Sequence, residues 1–250
     1  KDKLIVEISK TPVDLKSDDS VIGKIGQYNI VDTRKGKSFV ARQARKLAQK
    51  SRPDGLTPKL IIIHTGTSRP SKTIGTFLAR GTSSNFEVGK DGTIYMYVPD
   101  ELATLHSGYT NINNISIGVD ISKSLSGGAG PYPPDQILAT RNLVQSLCSK
   151  YGIPDVVAPD RRFYKDFKSK YRYGSERAGA AMAEYLIDQG IGIIYHRNIL
   201  NKSCPDKFPV QALGQTKQLD LLKLKTILGF DLSPDPKNLP KDPFEPEEQL

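Results

Sequence analysis

The chain has 250 residues, 37% of them hydrophobic, and a formal net charge of +9, which gives enough apolar material for a folded core and excludes a disordered polyelectrolyte. No run approaches the roughly 18 consecutive apolar residues of a membrane span, and the two cysteines, Cys148 and Cys204, are too few for a disulfide framework. The basic excess points to polyanionic partners such as bacterial cell-wall polymers or anionic membranes, and no nucleic-acid motif accompanies it.

Residues 1–56 contain one evident helix, SFVARQARKLAQKS (38–51), and form an N-terminal extension. KLIIIHTG (59–66) is an aliphatic run closed by turn formers, which predicts a buried strand with His64 at its C-terminal end. A strand at 85–88, the turn GKDG and the alternating run TIYMYVP (93–99) predict a hairpin. His106 follows in a glycine-containing loop, and SIGVDIS (116–122) predicts a strand whose lone acid is Asp120. After the loop SLSGGAGPYPP comes an amphipathic helix at 135–150, with Ile137, Leu143, Val144, Leu147 and Cys148 on one face, so Cys148 is expected as a buried apolar residue.

Residues 158–174 interleave Arg161, Arg162, Lys165, Lys168, Lys170 and Arg172 with Phe163, Tyr164, Phe167, Tyr171 and Tyr173. This suits either a glycan or polyanion surface or a solvated face over packed aromatics. A helix at 175–189 leads to GIGIIYH (190–196), a second aliphatic run that delivers a histidine, His196, at its end. The loop NKSCPDKFP then carries Lys202 and Cys204, residues 219–228 form a packing helix, and 231–250 are a proline-rich acidic tail.

His64 and His196 at strand ends and Cys204 in a polar loop supply the three ligands of an open tetrahedral zinc site. Imidazole and thiolate both suit this borderline-soft ion, and a free fourth position makes water available as a nucleophile near neutral pH. Lys202, two residues before the cysteine, is placed to steady a developing oxyanion. Asp120 reads equally well as a base whose pKa is raised by burial or as a structural aspartate held by backbone donors.

The ordered blocks IIIHTGTS, SNFEVGKDGTIYMYVPD, ATLHSG, NNISIGVDI, PPDQILATRNLVQSLCSKYGIP and YHRNILNKSCPDKFP, spanning about 60–210, resemble the zinc-dependent N-acetylmuramoyl-L-alanine amidases, a family that includes phage amidases and peptidoglycan recognition proteins. The resemblance implies an α/β fold of the peptidoglycan recognition protein type, with a mixed central β-sheet flanked by helices. It places His64, His196 and Cys204 on the zinc ligands, Lys202 on a catalytic lysine and Asp120 where one branch has a glutamate base. It further places His106, Thr65 and Asn85 in the substrate groove. Three departures stand out: Ser84 replaces a catalytic tyrosine of the phage and recognition-protein branch, Asn85 replaces a histidine, and the basic, aromatic segment at 158–174 is an insertion ahead of the final strand.

The implied organisation is an amidase domain over 57–230 with an insertion at about 158–190, bounded by the extension and the tail. The implied activity is zinc-dependent hydrolysis of the bond between N-acetylmuramic acid and L-alanine in peptidoglycan, by a cell-wall-facing or phage-borne protein, an endolysin among the possibilities. The alternatives are a non-catalytic peptidoglycan-binding module and a structural component of a larger phage or cell-envelope assembly.

Overall fold

The computed structural model describes residues 20–66, 70–123, 132–160, 176–200, 204–205, 207–217 and 219. The basic and aromatic segment from 161, Lys202, the helix expected at 219–228 beyond Leu219, and the acidic tail lie outside the described residues.

The described strands are β1 (Val21–Ile25), β2 (Tyr28–Asp32), β3 (Gln49–Ser51), β4 (Leu60–Thr65), β5 (Phe86–Val88), β6 (Ile94–Met96), β7 (Leu102–Thr104), β8 (Ser116–Ile121), β9 (Val156–Val157), β10 (Ile193–Tyr195) and β11 (Gln215–Thr216). Nine of them form one mixed sheet in the order β1-β2-β6-β5-β8-β4-β10-β9-β11, and β3 pairs β7 separately. The helices are α1 (Phe39–Ala44), α2 (Pro70–Arg80), α3 (Thr110–Asn114), α4 (Pro134–Tyr151), α5 (Glu176–Asp188) and α6 (His196–Ile199).

The centre of the sheet is parallel, β5, β8, β4 and β10 running together. Parallel strands are covered on both faces and so read as unbroken apolar runs, which is why LIIIHT and SIGVDI were legible. Side chains alternate across the sheet. Ile61, Ile63, Ile117, Val119 and Ile121 face α4, whose Leu143, Val144, Leu147 and Cys148 pack onto them. Helix α4 ends at Gly152, whose left-handed φ of 66° lets its N–H reach the Cys148 carbonyl. Leu60 and Ile62 point the other way, towards Ile112 of α3 and Met182, Tyr185 and Leu186 of α5. A third cluster, including Val40, Ala44, Ile74 and Tyr97, packs α1 and α2 beside this face.

Two expectations change. The helix expected at 38–51 spans only Phe39–Ala44, capped by Ser38 Oγ accepting from Ala41 N–H at 3.0 Å. Gln49–Ser51 instead pair antiparallel with Leu102–Thr104, a tertiary pairing that overrides local helix propensity. The described part of the extension is also continuous with the core: β2 pairs in parallel with β6. Arg52 ties it down further, its guanidinium donating to the carbonyls of Asn113, Asn114, Asp100, Leu102 and Ser116.

Candidate metal centre and active site

Alternation sets which side chains meet. His64 lies two residues beyond Ile62 and therefore on the same face of β4, at the C-terminal end of the parallel strands, where open α/β sheets carry their sites. The register places His64 opposite Asp120 on β8 and Asp120 opposite Glu87 on β5. A row of three ionisable residues thus crosses three adjacent strands. Strand β10 stops at Tyr195, so His196 is the first residue of α6, with Asn198 Oδ1 accepting from Tyr195 N–H at 2.7 Å. The His64 and His196 rings meet with centroids 4.4 Å apart.

Cys204 is brought to the same place by its loop, whose carbonyl accepts from Arg197 N–H at 2.9 Å. One donor atom each from His64, His196 and Cys204 lie within 4.8 Å of one another. Both histidines are buried. The Cys204 sulfur accepts from Thr65 N–H at 3.1 Å and lies 3.7 Å from Thr65 Oγ1, an environment of donors that favours a thiolate. Burial, against the Thr65 donors and with a smaller push from the Asp120 charge, raises the Cys204 thiol to about 11; a bound cation reverses that logic, because it coordinates the anion. Two imidazoles, one sulfur and donors on that sulfur fit a zinc ion with one position left open.

Burial, reinforced by the neighbouring Glu87 charge, raises the Asp120 carboxyl to about 8, against a smaller opposing effect of the Ser84 hydroxyl. Ser84 itself is fully enclosed and its hydroxyl makes no hydrogen bond of ordinary geometry among the described residues. His106 stacks edge-on against His64, with His64 Nε2 3.0 Å from His106 Nδ1. Burial, with the His196 and Arg52 charges, lowers His106 to about 3, so it is a neutral ring throughout the physiological range.

The remaining expected residues fall differently. Asn85, read as a substrate contact, is completely buried. Its Nδ2 faces the carbonyls of Val98, Pro99 and Leu102 at 3.4, 3.0 and 3.1 Å, and its Oδ1 accepts from Thr104 Oγ1 and Gly118 N–H at 3.0 and 3.1 Å. It is a scaffold residue, since no amide face is left for a ligand. Thr65 turns towards Cys204, which ties it to the candidate metal cluster. Lys202 lies outside the described residues.

The sequence reading missed Glu87. This carboxylate is fully buried and receives hydroxyls from Tyr97 and Ser122, with Thr73 as a further hydrogen-bond partner. Burial raises its pKa and these hydroxyls oppose the shift. The available signal was the one used for Asp120, an acid between apolar residues of a strand.

The sequence model described as N-acetylmuramoyl-L-alanine amidase matches residues 54–207. The chain belongs to the N-acetylmuramoyl-L-alanine amidase family. The match begins before β4 and ends just after Cys204, so it contains His64, His196 and Cys204, whereas β1 and β2 precede it. Among solved structures, an endolysin amidase, LysCS, from Clostridium intestinale is 19% identical with a TM-score of 0.43, covering 63% of this chain and 82% of that one. A selenomethionine derivative of AmpD is 17% identical with a TM-score of 0.41, covering 72% and 89%. A mutant of Drosophila PGRP-LB in complex with tracheal cytotoxin is 15% identical with a TM-score of 0.44, covering 69% and 89%. No curated protein sequence matches the chain.

Proposed function

We propose that this amidase-family chain is a zinc-dependent hydrolase of peptidoglycan that cleaves the amide joining N-acetylmuramic acid to the L-alanine of the stem peptide. The observation that carries this reading is the convergence of His64, His196 and Cys204 donor atoms within 4.8 Å, beside a buried carboxyl in register with the first ligand. Zinc, when bound there, supplies a Lewis acid that polarises the scissile carbonyl and eases deprotonation of water.

The chain's own residues supply the rest. His64, His196 and Cys204 hold the ion, and Thr65 N–H orients the sulfur. Asp120 accepts the proton of the attacking water at its carboxylate and returns it to the leaving amine. A carboxyl pushed up by burial is suited to this exchange near neutral pH. Lys202, in the loop just before Cys204, steadies the oxyanion with its ammonium. The +9 charge of the chain favours approach to an anionic wall polymer, which fits a cell-wall-facing or phage-borne protein of the endolysin kind, alone or within a larger particle.

A second reading, binding without cleavage, is favoured by Ser84, where a buried serine offers no phenol to the reaction. One experiment separates the two. Purified protein is incubated with peptidoglycan and new L-alanine amino termini are scored, with and without a chelator. Zinc-dependent release that is lost in Cys204→Ala supports hydrolysis; retention of the protein on the wall with no release by the zinc-loaded form refutes it.

A further inference from the structure

The loop around His106 and Ser107, which the family resemblance places in the substrate groove, backs onto the metal centre. His196 Nε2 lies 3.3 Å from the Ser107 carbonyl oxygen. A carbonyl only accepts, so His196 Nε2 carries the proton and the lone pair of the neutral ring sits on Nδ1. At the His64 Nε2 to His106 Nδ1 contact of 3.0 Å either ring could donate, and the direction is settled two bonds further out.

Ser116 Oγ donates to the Ile112 carbonyl at 2.6 Å, an acceptor without a proton, so the single hydroxyl proton is committed. Ser116 Oγ therefore accepts from His106 Nε2 at 3.1 Å. In a neutral ring this leaves His106 Nδ1 as the acceptor and makes His64 Nε2 the donor. Both imidazoles thus carry their proton on Nε2 and their lone pair on Nδ1, the nitrogen able to bind a metal.

We propose that the His106–Ser107 loop is the outer brace of the metal centre, in which His106 and the Ser107 carbonyl hold His64 and His196 in the tautomer that presents Nδ1 to the ion. This rests on the zinc reading of the site. His106 is accordingly a positioning residue rather than a substrate contact. The brace is itself fixed: Asn113 Oδ1 accepts from His106 N–H and Ser107 N–H at 3.2 and 2.9 Å, and Ser107 Oγ bridges to the Tyr109 backbone at 2.9 and 3.1 Å. Gly118 leaves the space for the ring, since a Cβ there would sit 2.8 Å from His106 Cγ. One short loop thereby orients two ligands that the sequence separates widely.

Two measurements test the brace. In metal-free protein, nitrogen-15 NMR of the histidine rings should find His64 and His196 protonated at Nε2; a predominantly Nδ1-protonated form of either ring overturns the assignment. In chelator competition, His106→Ala and Ser116→Ala should weaken zinc binding roughly 10- to 100-fold, the usual effect of losing an outer partner. His106→Gln, whose amide can accept from His64 and donate to Ser116, should recover most of that loss. Unchanged zinc affinity in both alanine variants overturns the proposal. Should His106→Ala fail to fold, Ser116→Ala and the tautomers of the unaltered protein decide. Neither readout involves peptidoglycan: an unaltered protein that binds no zinc refutes the function, whereas one that binds zinc as tightly without the brace refutes the brace alone.

Discussion

Asn85→Leu is the sharpest probe of the scaffold behind the site, because the two roles considered for Asn85 predict opposite outcomes. The substitution keeps the approximate volume and removes every polar atom. Gly118 N–H and the Thr104 hydroxyl lose their acceptor, and the Val98 carbonyl loses its amide donor. All this happens where Asn85, Thr104 and Ser84 are fully enclosed, so water cannot substitute freely. An orphaned buried polar group costs about 1–3 kcal/mol; three of them, partly relieved by local relaxation, imply a loss of about 4 kcal/mol. For a chain of this size that is a drop of roughly 10 °C in Tm.

The Pro99 and Leu102 carbonyls add little, because Leu102 N–H and Arg52 still serve them. Urea denaturation followed by far-UV circular dichroism reads the change directly, a suitable probe in a chain with no tryptophan. A substrate contact would instead leave stability intact and raise KM. A stability loss below about 1 kcal/mol would therefore refute the scaffold role.

Asp120→Asn should alter the pH dependence of stability in chelated protein. The folded Asp120 titrates at about 8 and the unfolded one near 3.8, so the folded state binds the extra proton and stability falls as pH rises through that window. His106, lowered from 6.5 to about 3, acts in the opposite sense and cancels much of this below pH 6.5, leaving a fall of about 2 kcal/mol between pH 6.5 and 8. Glu87 shifts in the same direction as Asp120 and persists in the variant, so the difference between the two profiles is the readout; parallel profiles would remove Asp120 from the account. Gly192→Ala should cost about 3 kcal/mol, because its Cβ would lie 2.2 Å from the Pro154 carbonyl oxygen and 2.4 Å from Ile153 Cγ2. An unchanged denaturation midpoint would show that β10 can shift without penalty.

What the sequence disclosed follows from how far each signal reaches. The runs at 60–65 and 116–121 announce themselves because both faces of a parallel strand are covered, and the cluster of His64, His196 and Cys204 follows from two aliphatic runs that each end at a histidine and from a cysteine in the polar loop after the second. Strand β1 was illegible for the opposite reason: at the sheet edge, VIGKI is mostly exposed and carries no apolar alternation. Glu87 illustrates a compound failure. In FEV the acid alternates with apolar neighbours, which in a half-exposed hairpin reads as a solvent-facing position. Helix α2, absent from the sequence reading, covers that face, with Thr73 reaching Glu87 and the Pro70 carbonyl 3.3 Å from Tyr97 Oη. One unread helix therefore concealed one functional-looking carboxylate.

That concealed residue bears on which acid does chemistry. Glu87 and Asp120 are register neighbours, and two buried carboxylates side by side resist simultaneous ionisation. Their surroundings differ. Three hydroxyls, from Tyr97, Ser122 and Thr73, address Glu87, and Gly66 admits it, since a Cβ there would stand 3.1 Å from Glu87 Oε1. Among the described residues the Ser84 hydroxyl is the side-chain donor that faces Asp120, and it is poorly aligned. Hydroxyl donors favour the charged form, whereas a buried carboxyl with fewer of them keeps its proton to higher pH. On the proposed hydrolysis, Glu87 would keep a constant role and Asp120, in register with His64, would be the group whose protonation changes during turnover.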